Sequence, residues 1–342
     1  MAKSVVVIKV GSSVLTSATG DLDLTVISNI VDQIADLTKE HQTLLVSSGA
    51  VSSGKNFLKK YDRSLTHRKA AAAIGNPLLI KEYTLQFSRH GLTVAQVLLE
   101  RHHFSQRSQF LQLRETITEL WANNVIPVIN ENDVVSNFEL KFSDNDELAT
   151  LLAIGFNANA LLFCTTAGGY RNEENAVIPV VDEIDSVLAY LRKDRSVHGT
   201  GGMASKLTFT KLATSLGIKA VYCGINDEHQ TFSKALEGKL GTTFTPKSSS
   251  LRDRQKWLAS GSITMGSLQI DHGAYEALRE RKSLLLVGVV RIERSFKAGE
   301  VVQLTVDEKE IVGVAKMKYN ADALDSRRKD VMVAHADDIV LF

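Results

Sequence analysis

Strong charge of either sign is missing from this chain: across 342 residues the formal net charge is +1. That balance excludes a general attraction for nucleic acid or for an acidic membrane surface, since both need a concentration of cations. Cysteine is nearly absent too. Cys164 and Cys223 each sit in a short apolar segment, which predicts buried free thiols rather than a disulfide or a catalytic pair. No apolar run approaches the roughly 18 residues of a membrane span. The first such run, Val5 to Ile8, is closed by Lys9, far short of a signal-peptide core, so the expectation is a cytoplasmic protein. The nine histidines lack metal-ligand spacing.

What is present describes a globular protein, with 44% hydrophobic and 23% charged residues. The length exceeds one ordinary core and predicts two domains. Four branched apolar residues, Val5 to Ile8, suit a strand covered on both faces. Lys9, Val10, Gly11, Ser12 and Ser13 follow, placing a cation where the strand breaks into small residues whose N–H groups can approach an anion. This is not a Walker-type loop, because there the lysine follows the glycines. Taken alone, it is equally a strand end with a solvated lysine.

The chain then alternates. Leu24 to Glu40 has the spacing of an amphipathic helix and Thr43 to Val46 that of a strand. The strand ends in Ser47-Ser48-Gly49-Ala50, which leads into a helix and so into a place that favours an anion. Ala70 to Ile74 predicts a helix, Gly75-Asn76-Pro77 a break, and Pro77 the first turn of a second helix. Leu92 to Leu99 and Val125 to Ile129 read as strands around a helical stripe from Phe110 to Trp121. Two polar clusters come next: Asn130-Glu131-Asn132-Asp133, and Asp144-Asn145-Asp146 at the start of an apolar helix running to Phe156. Asp144 or Asn145 as an N-cap accounts for part of this, but two clusters of Asn and carboxylate exceed what capping requires. Strand Ala160 to Thr165 leads to Thr166, and Gly199-Thr200-Gly201-Gly202-Met203-Ala204-Ser205-Lys206 opens a helix to Leu216. Lys206 in a first turn opposes the usual preference for acidic residues there, which points to phosphate binding. Strand Ile218 to Cys223 and a helix at Phe232 to Leu236 complete a βα pattern that predicts a mainly parallel sheet, with ligands at the C-terminal strand ends.

Thr245-Pro246-Lys247-Ser248-Ser249-Ser250 reads as a linker. Beyond Gly261 short strands are expected at Ser262 to Thr264, Leu284 to Val290, Glu300 to Thr305, Ile311 to Ala315, Val331 to Ala334 and Ile339 to Leu341, with one helix from Gly273 to Arg281. This part carries a net charge of −1, which argues against strong nucleic-acid binding.

The five motifs around Lys9, Ser48, Asp133, Asp146 and Lys206, in this order and spacing, resemble the glutamate 5-kinase branch of the amino-acid kinase family. Ile270-Asp271-His272-Gly273-Ala274, Ser283-Leu284-Leu285 and Lys318-Tyr319-Asn320-Ala321-Asp322-Ala323-Leu324 resemble the PUA module that many of these enzymes carry. The resemblance implies a three-layer α/β/α kinase domain over residues 1–250 and a small, mostly β PUA-like domain over 261–342. It implies transfer of a phosphoryl group from ATP, with Mg²⁺, to the γ-carboxylate of L-glutamate, the first step of proline synthesis. By carry-over, Lys9 and Lys206 face the phosphoryl group and Asp146 orients them. Ser48, Gly49, Asp133 and Asn145 hold glutamate. Lys9, Gly11, Thr165, Thr166 and the stretch Thr200, Gly201, Gly202, Met203, Ala204, Ser205 and Lys206 contact the nucleotide. One departure is Ala167, where the family usually places an aspartate after Thr166. Feedback inhibition by L-proline and a homodimer or homotetramer are further implications. Two other readings stay open: a related kinase with a different acceptor, and an RNA-binding or regulatory protein built on the PUA-like module.

Overall fold

A computed structural model describes residues 3–17, 21–105, 107–135, 144–184, 187, 203–225, 231–247, 266–307, 310–324 and 330–341. By compactness the chain divides into two units, Met1–Glu100 with Arg114–Ser249, and Arg101–Leu113 with Ser250–Phe342.

In the first unit, strands β1 (Ser4–Val10), β2 (His41–Ser47), β3 (Thr93–Leu99), β4 (Val125–Glu131), β5 (Ala160–Cys164), β6 (Val180–Val181), β7 (Lys219–Cys223) and β8 (Thr242–Phe244) form one sheet in the order β3-β4-β2-β1-β5-β7-β8-β6. From β3 to β7 all pairings are parallel. Only the β7–β8 pair is antiparallel. The central place of β1 follows from its sequence, since branched residues pointing both ways can be satisfied only between two helical layers. Val6, Ile8 and Val10 share a buried cluster with α2 (Leu24–Leu37), α4 (Leu65–Ser88) and α9 (Thr231–Leu236). Lys9, of the opposite parity, points to the other face, where α7 (Asn145–Gly155) packs on β1, β2, β4 and β5. Beside it lies α8 (Met203–Ser215). Chain order reverses at β1, which has β2 on one side and β5 on the other. The crevice over the C-terminal ends of these strands is where open α/β sheets bind ligands.

One expectation fails here. Gly75-Asn76-Pro77 does not break a helix, because α4 runs unbroken through Pro77. The reason is tertiary. Gly75 lies against α3 (Ala50–Gly54), and a Cβ on it would fall 1.7 Å from the Ala50 carbonyl oxygen. Gly54 meets Ala71 in the same way, at 1.9 Å. This backbone-on-backbone crossing holds the helix across a proline whose missing N–H would otherwise favour a break.

In the second unit, β9 (Gly266–Ile270), β11 (Val289–Arg294), β12 (Val301–Val306), β13 (Glu310–Lys316) and β15 (Ile339–Leu341) form a sheet in the order β11-β9-β12-β13-β15, while β10 (Leu284–Leu285) pairs with β14 (Met332–Ala334). Leu268, Ile270, Val302, Leu304 and Val333 fill its core. Helix α10 (His272–Arg279) starts on Asp271, whose carboxylate accepts from the Ala274 N–H at 2.6 Å. The expected single strand Leu284 to Val290 is instead two strands joined by a 3-10 turn at Leu286–Gly288. Gly288 passes so close to Ala274 that a Cβ would lie 2.5 Å from the alanine methyl, and the chain bends there. The expected strand Ser262 to Thr264 lies outside the described residues.

Candidate active site

Asp146 organises the site. It stands in the first turn of α7, whose N-cap is Asp144: that carboxylate accepts from the backbone N–H groups of Asp146 at 2.9 Å and Glu147 at 3.2 Å. An acidic first turn suits the helix dipole. Asp146 is fully buried, which a lone carboxylate could not sustain. It is kept by two cations. Lys9 Nζ lies 2.6 Å from Oδ1, and Lys206 Nζ donates to Oδ2. Burial pushes the Asp146 carboxyl up, but the two lysines outweigh it and hold the group below its ordinary range. Asp144 goes the other way, raised by burial and by the neighbouring Asp146 charge. The triad carries a net positive charge beside the backbone of Gly11, where a Cβ would lie 3.5 Å from Lys9 Nζ.

Lys206 arrives from α8, which explains a cation at a helix N-terminus: Asp146 offsets the dipole. The Tyr222 hydroxyl, on β7, donates to the Lys206 carbonyl at 3.3 Å and shares a 2.7 Å hydrogen bond with Thr210 Oγ1. Nothing in the sequence spacing pointed to this tie.

The second group surrounds Asn145. Its Nδ2 donates to Ser48 Oγ and to Asn130 Oδ1, both at 2.9 Å. Asn130 Nδ2 in turn donates to Asn76 Oδ1 at 3.2 Å. Ser48 follows β2, and its N–H bonds the Val10 carbonyl at 3.0 Å. Gly49 then takes φ 111°, a left-handed turn suited to glycine. Asp133 lies in the turn after β4. Thr165 extends past β5, where its N–H bonds the Cys223 carbonyl at 2.8 Å, and Thr166 is exposed. Where the family pattern has an acid, the Ala167 carbonyl accepts from Arg171 Nε at 3.2 Å and Nη2 at 3.1 Å, which closes the loop on itself. Met203 to Ser205 form the first turn of α8. Thr200, Gly201 and Gly202 lie outside the described residues. Cys164 and Cys223 are free and buried, and burial pushes the Cys164 thiol up to about 12, which disfavours the thiolate that a nucleophile needs. Asn76 and Asn130 were not among the expected contact residues; Asn130 belonged to a polar cluster visible in the sequence, whereas nothing in the sequence singled out Asn76 for a site.

A buried carboxylate holding two lysines at the C-terminal ends of a mainly parallel sheet defines a class: an enzyme that binds and transfers an anionic group through fixed cations and alignment. The amino acid kinase family matches residues 4–222 and the PUA domain residues 266–336, so the chain belongs to the amino acid kinase family and carries a C-terminal PUA domain. Within that family it is similar to glutamate 5-kinases. That of Aquifex aeolicus is 36% identical over 98% of this chain and 99% of its own length. That of Dehalococcoides mccartyi strain CBDB1 is 38% identical over 93% and 89%. Among solved structures, the carbamate kinase of Giardia shares the fold, with a TM-score of 0.51 and 16% identity over 72% of this chain and all of its own.

Proposed function

We propose that this enzyme transfers the γ-phosphoryl group of ATP to the γ-carboxylate of L-glutamate, giving γ-glutamyl phosphate and ADP, the first step of proline synthesis. Residues 1–250 would carry the chemistry and residues 261–342 would form the PUA-like module. The observation that supports this most is the Lys9–Asp146–Lys206 triad beside the Asn145–Ser48 pair. Two anions must meet, and charge then spreads over the phosphoryl oxygens. Lys9 and Lys206 offset that charge, and Asp146 holds both ammonium groups before substrate arrives, so little reorganisation remains. A general base is unnecessary, since the acceptor carboxylate is already ionised at neutral pH.

Ser48, Gly49, Asp133 and Asn145 are assigned to glutamate, with the Asp133 carboxylate attracting the α-ammonium. Gly11, Thr165, Thr166 and Thr200 through Lys206 are assigned to the nucleotide. Among the described residues no group of three or more His, Cys, Asp or Glu side chains is placed to hold a metal. Mg²⁺ is assigned to the nucleotide phosphates, where it would neutralise phosphate charge. No helix among the described residues is long and apolar enough to cross a membrane; a cytoplasmic location is part of the proposed reading. A homodimer or homotetramer and inhibition by L-proline belong to the same reading.

The test is ADP release from ATP and Mg²⁺ with a panel of acceptors, L-glutamate, N-acetylglutamate, aspartate, carbamate and UMP, with hydroxylamine present to trap an acyl phosphate. Glutamate-dependent hydroxamate is expected; turnover with another acceptor and none with glutamate would overturn the reading.

A further inference from the structure

Asn145 is held by a chain of buried amides that begins on a helix with no other part in the chemistry. The Asn130 amide is held from both ends, at its oxygen by a backbone N–H and at its nitrogen by Asn76. The Glu131 N–H donates to Asn130 Oδ1 at 2.9 Å, so Asn130 must turn its nitrogen the opposite way. That nitrogen finds Asn76 Oδ1 at 3.2 Å. On its other side Asn130 Oδ1 accepts from Asn145 Nδ2, which also donates to Ser48 Oγ. An amide nitrogen has two N–H bonds, and here both are spent on protein. Among the described residues, Asn145 therefore has only its carbonyl oxygen to offer a ligand.

We propose that Asn76 is a positioning residue for substrate recognition: through Asn130 it fixes the Asn145 carbonyl outward, so that the site accepts a hydrogen-bond donor, the α-ammonium of an amino acid, and rejects a compound lacking one. The inference rests on the reading of this site as the glutamate site. Burial gives the chain its leverage. Asn76 and Asn130 are each 6% exposed, so an amide turned the wrong way leaves a buried polar atom without a partner. The placement is also rigid, because Gly75, next to Asn76, lies backbone to backbone against Ala50, two residues after Ser48. The two ends of the chain are thus clamped by one helix crossing.

The test compares the wild type with Asn76→Leu, which cannot accept from Asn130, and Asn76→Asp, which can. L-glutamate and glutarate, identical but for the ammonium, are measured as acceptors or as competitive inhibitors. Asn76→Leu is expected to lower the preference for glutamate over glutarate about tenfold, the worth of one misdirected hydrogen bond, with KM for ATP unchanged. Asn76→Asp is expected to keep the preference. Equal losses for both compounds, or the same behaviour in both variants, would overturn the proposal. In the ligand-free proteins the Asn145 side-chain N–H groups should exchange slowly with solvent in the wild type and Asn76→Asp and faster in Asn76→Leu. Equal exchange in all three would overturn it whichever acceptor the enzyme uses. A wild type inactive with glutamate would count against the proposed function and leave the exchange measurement to decide the role of Asn76.

Discussion

Asp146→Asn keeps the shape of the side chain and removes its charge. Lys9 and Lys206, which shared one carboxylate, would then face each other across an amide. Their mutual repulsion, roughly 3 kcal/mol for two unit charges about 5 Å apart at an effective dielectric near 20, is present in the wild type as well, where the carboxylate between them offsets it. Removing one partner from a buried ion pair costs about 3 to 5 kcal/mol in measured cases. A loss in that range is expected because Asp146 is fully buried and Lys9 nearly so, with side-chain exposures of 0% and 9%. Lys206, at 20%, can relieve part of the repulsion by turning to solvent. A loss near 3 kcal/mol lowers the Tm of a unit of this size by roughly 6 to 12 °C, measurable by thermal melts at pH 7. The pH dependence has a definite sign. The Asp146 carboxyl lies below its ordinary range when folded, so its stabilisation is complete above the unfolded value near 3.9 and is lost as pH falls through the folded value. The Tm gap between wild type and variant should hold steady from neutrality down to about pH 4 and narrow only below it, as pH falls toward the folded value. Turnover should fall at least about 100-fold, because neither ammonium stays aligned. A variant melting within 2 °C of wild type at pH 7, with turnover intact, would refute the triad.

Three further outcomes follow from local geometry. Gly75→Ala should lower Tm by 10 °C or more or prevent soluble expression, since its Cβ would fall 1.7 Å from the Ala50 carbonyl oxygen and the clash far exceeds the roughly 1 kcal/mol that alanine gains in a helix; an unchanged melt would contradict the crossing of α3 and α4. Pro77→Ala should raise Tm, because Pro77 is exposed inside an unbroken helix and alanine restores the N–H; a lower Tm would mean the proline is needed there. Asp144→Asn keeps the cap and removes a charge beside Asp146, so Tm at pH 7 should hold or rise, whereas Asp144→Ala should lose about 1 kcal/mol of helix stability; a larger loss from the asparagine variant would show that the Asp144 charge is itself needed.

Much of the fold was legible in single stretches. The branched run of β1, the polar clusters after β4 and before α7, and the misplaced cation at Lys206 all carry local signals, and the structure brings Lys9, Asp146 and Lys206 together. The failures have a common cause. Gly75-Asn76-Pro77 has the local chemistry of a break, yet contacts with α3, distant in the chain, decide the outcome. The strand expected from Leu284 to Val290 is bent by Ala274 in the same way. Asn76 is invisible to pattern reading because its partner, Asn130, is supplied by the packing of α4 on the sheet and not by any spacing.

The central claim is that two lysines on one buried carboxylate drive transfer to glutamate. Its most direct test is the rate of γ-glutamyl hydroxamate formation by wild type and by Lys206→Met, at saturating ATP and Mg²⁺, with folding of both checked by circular dichroism. Glutamate-dependent hydroxamate is expected from the wild type, and a rate at least about 100-fold lower from a folded variant. A folded Lys206→Met enzyme within a few-fold of wild type would contradict it.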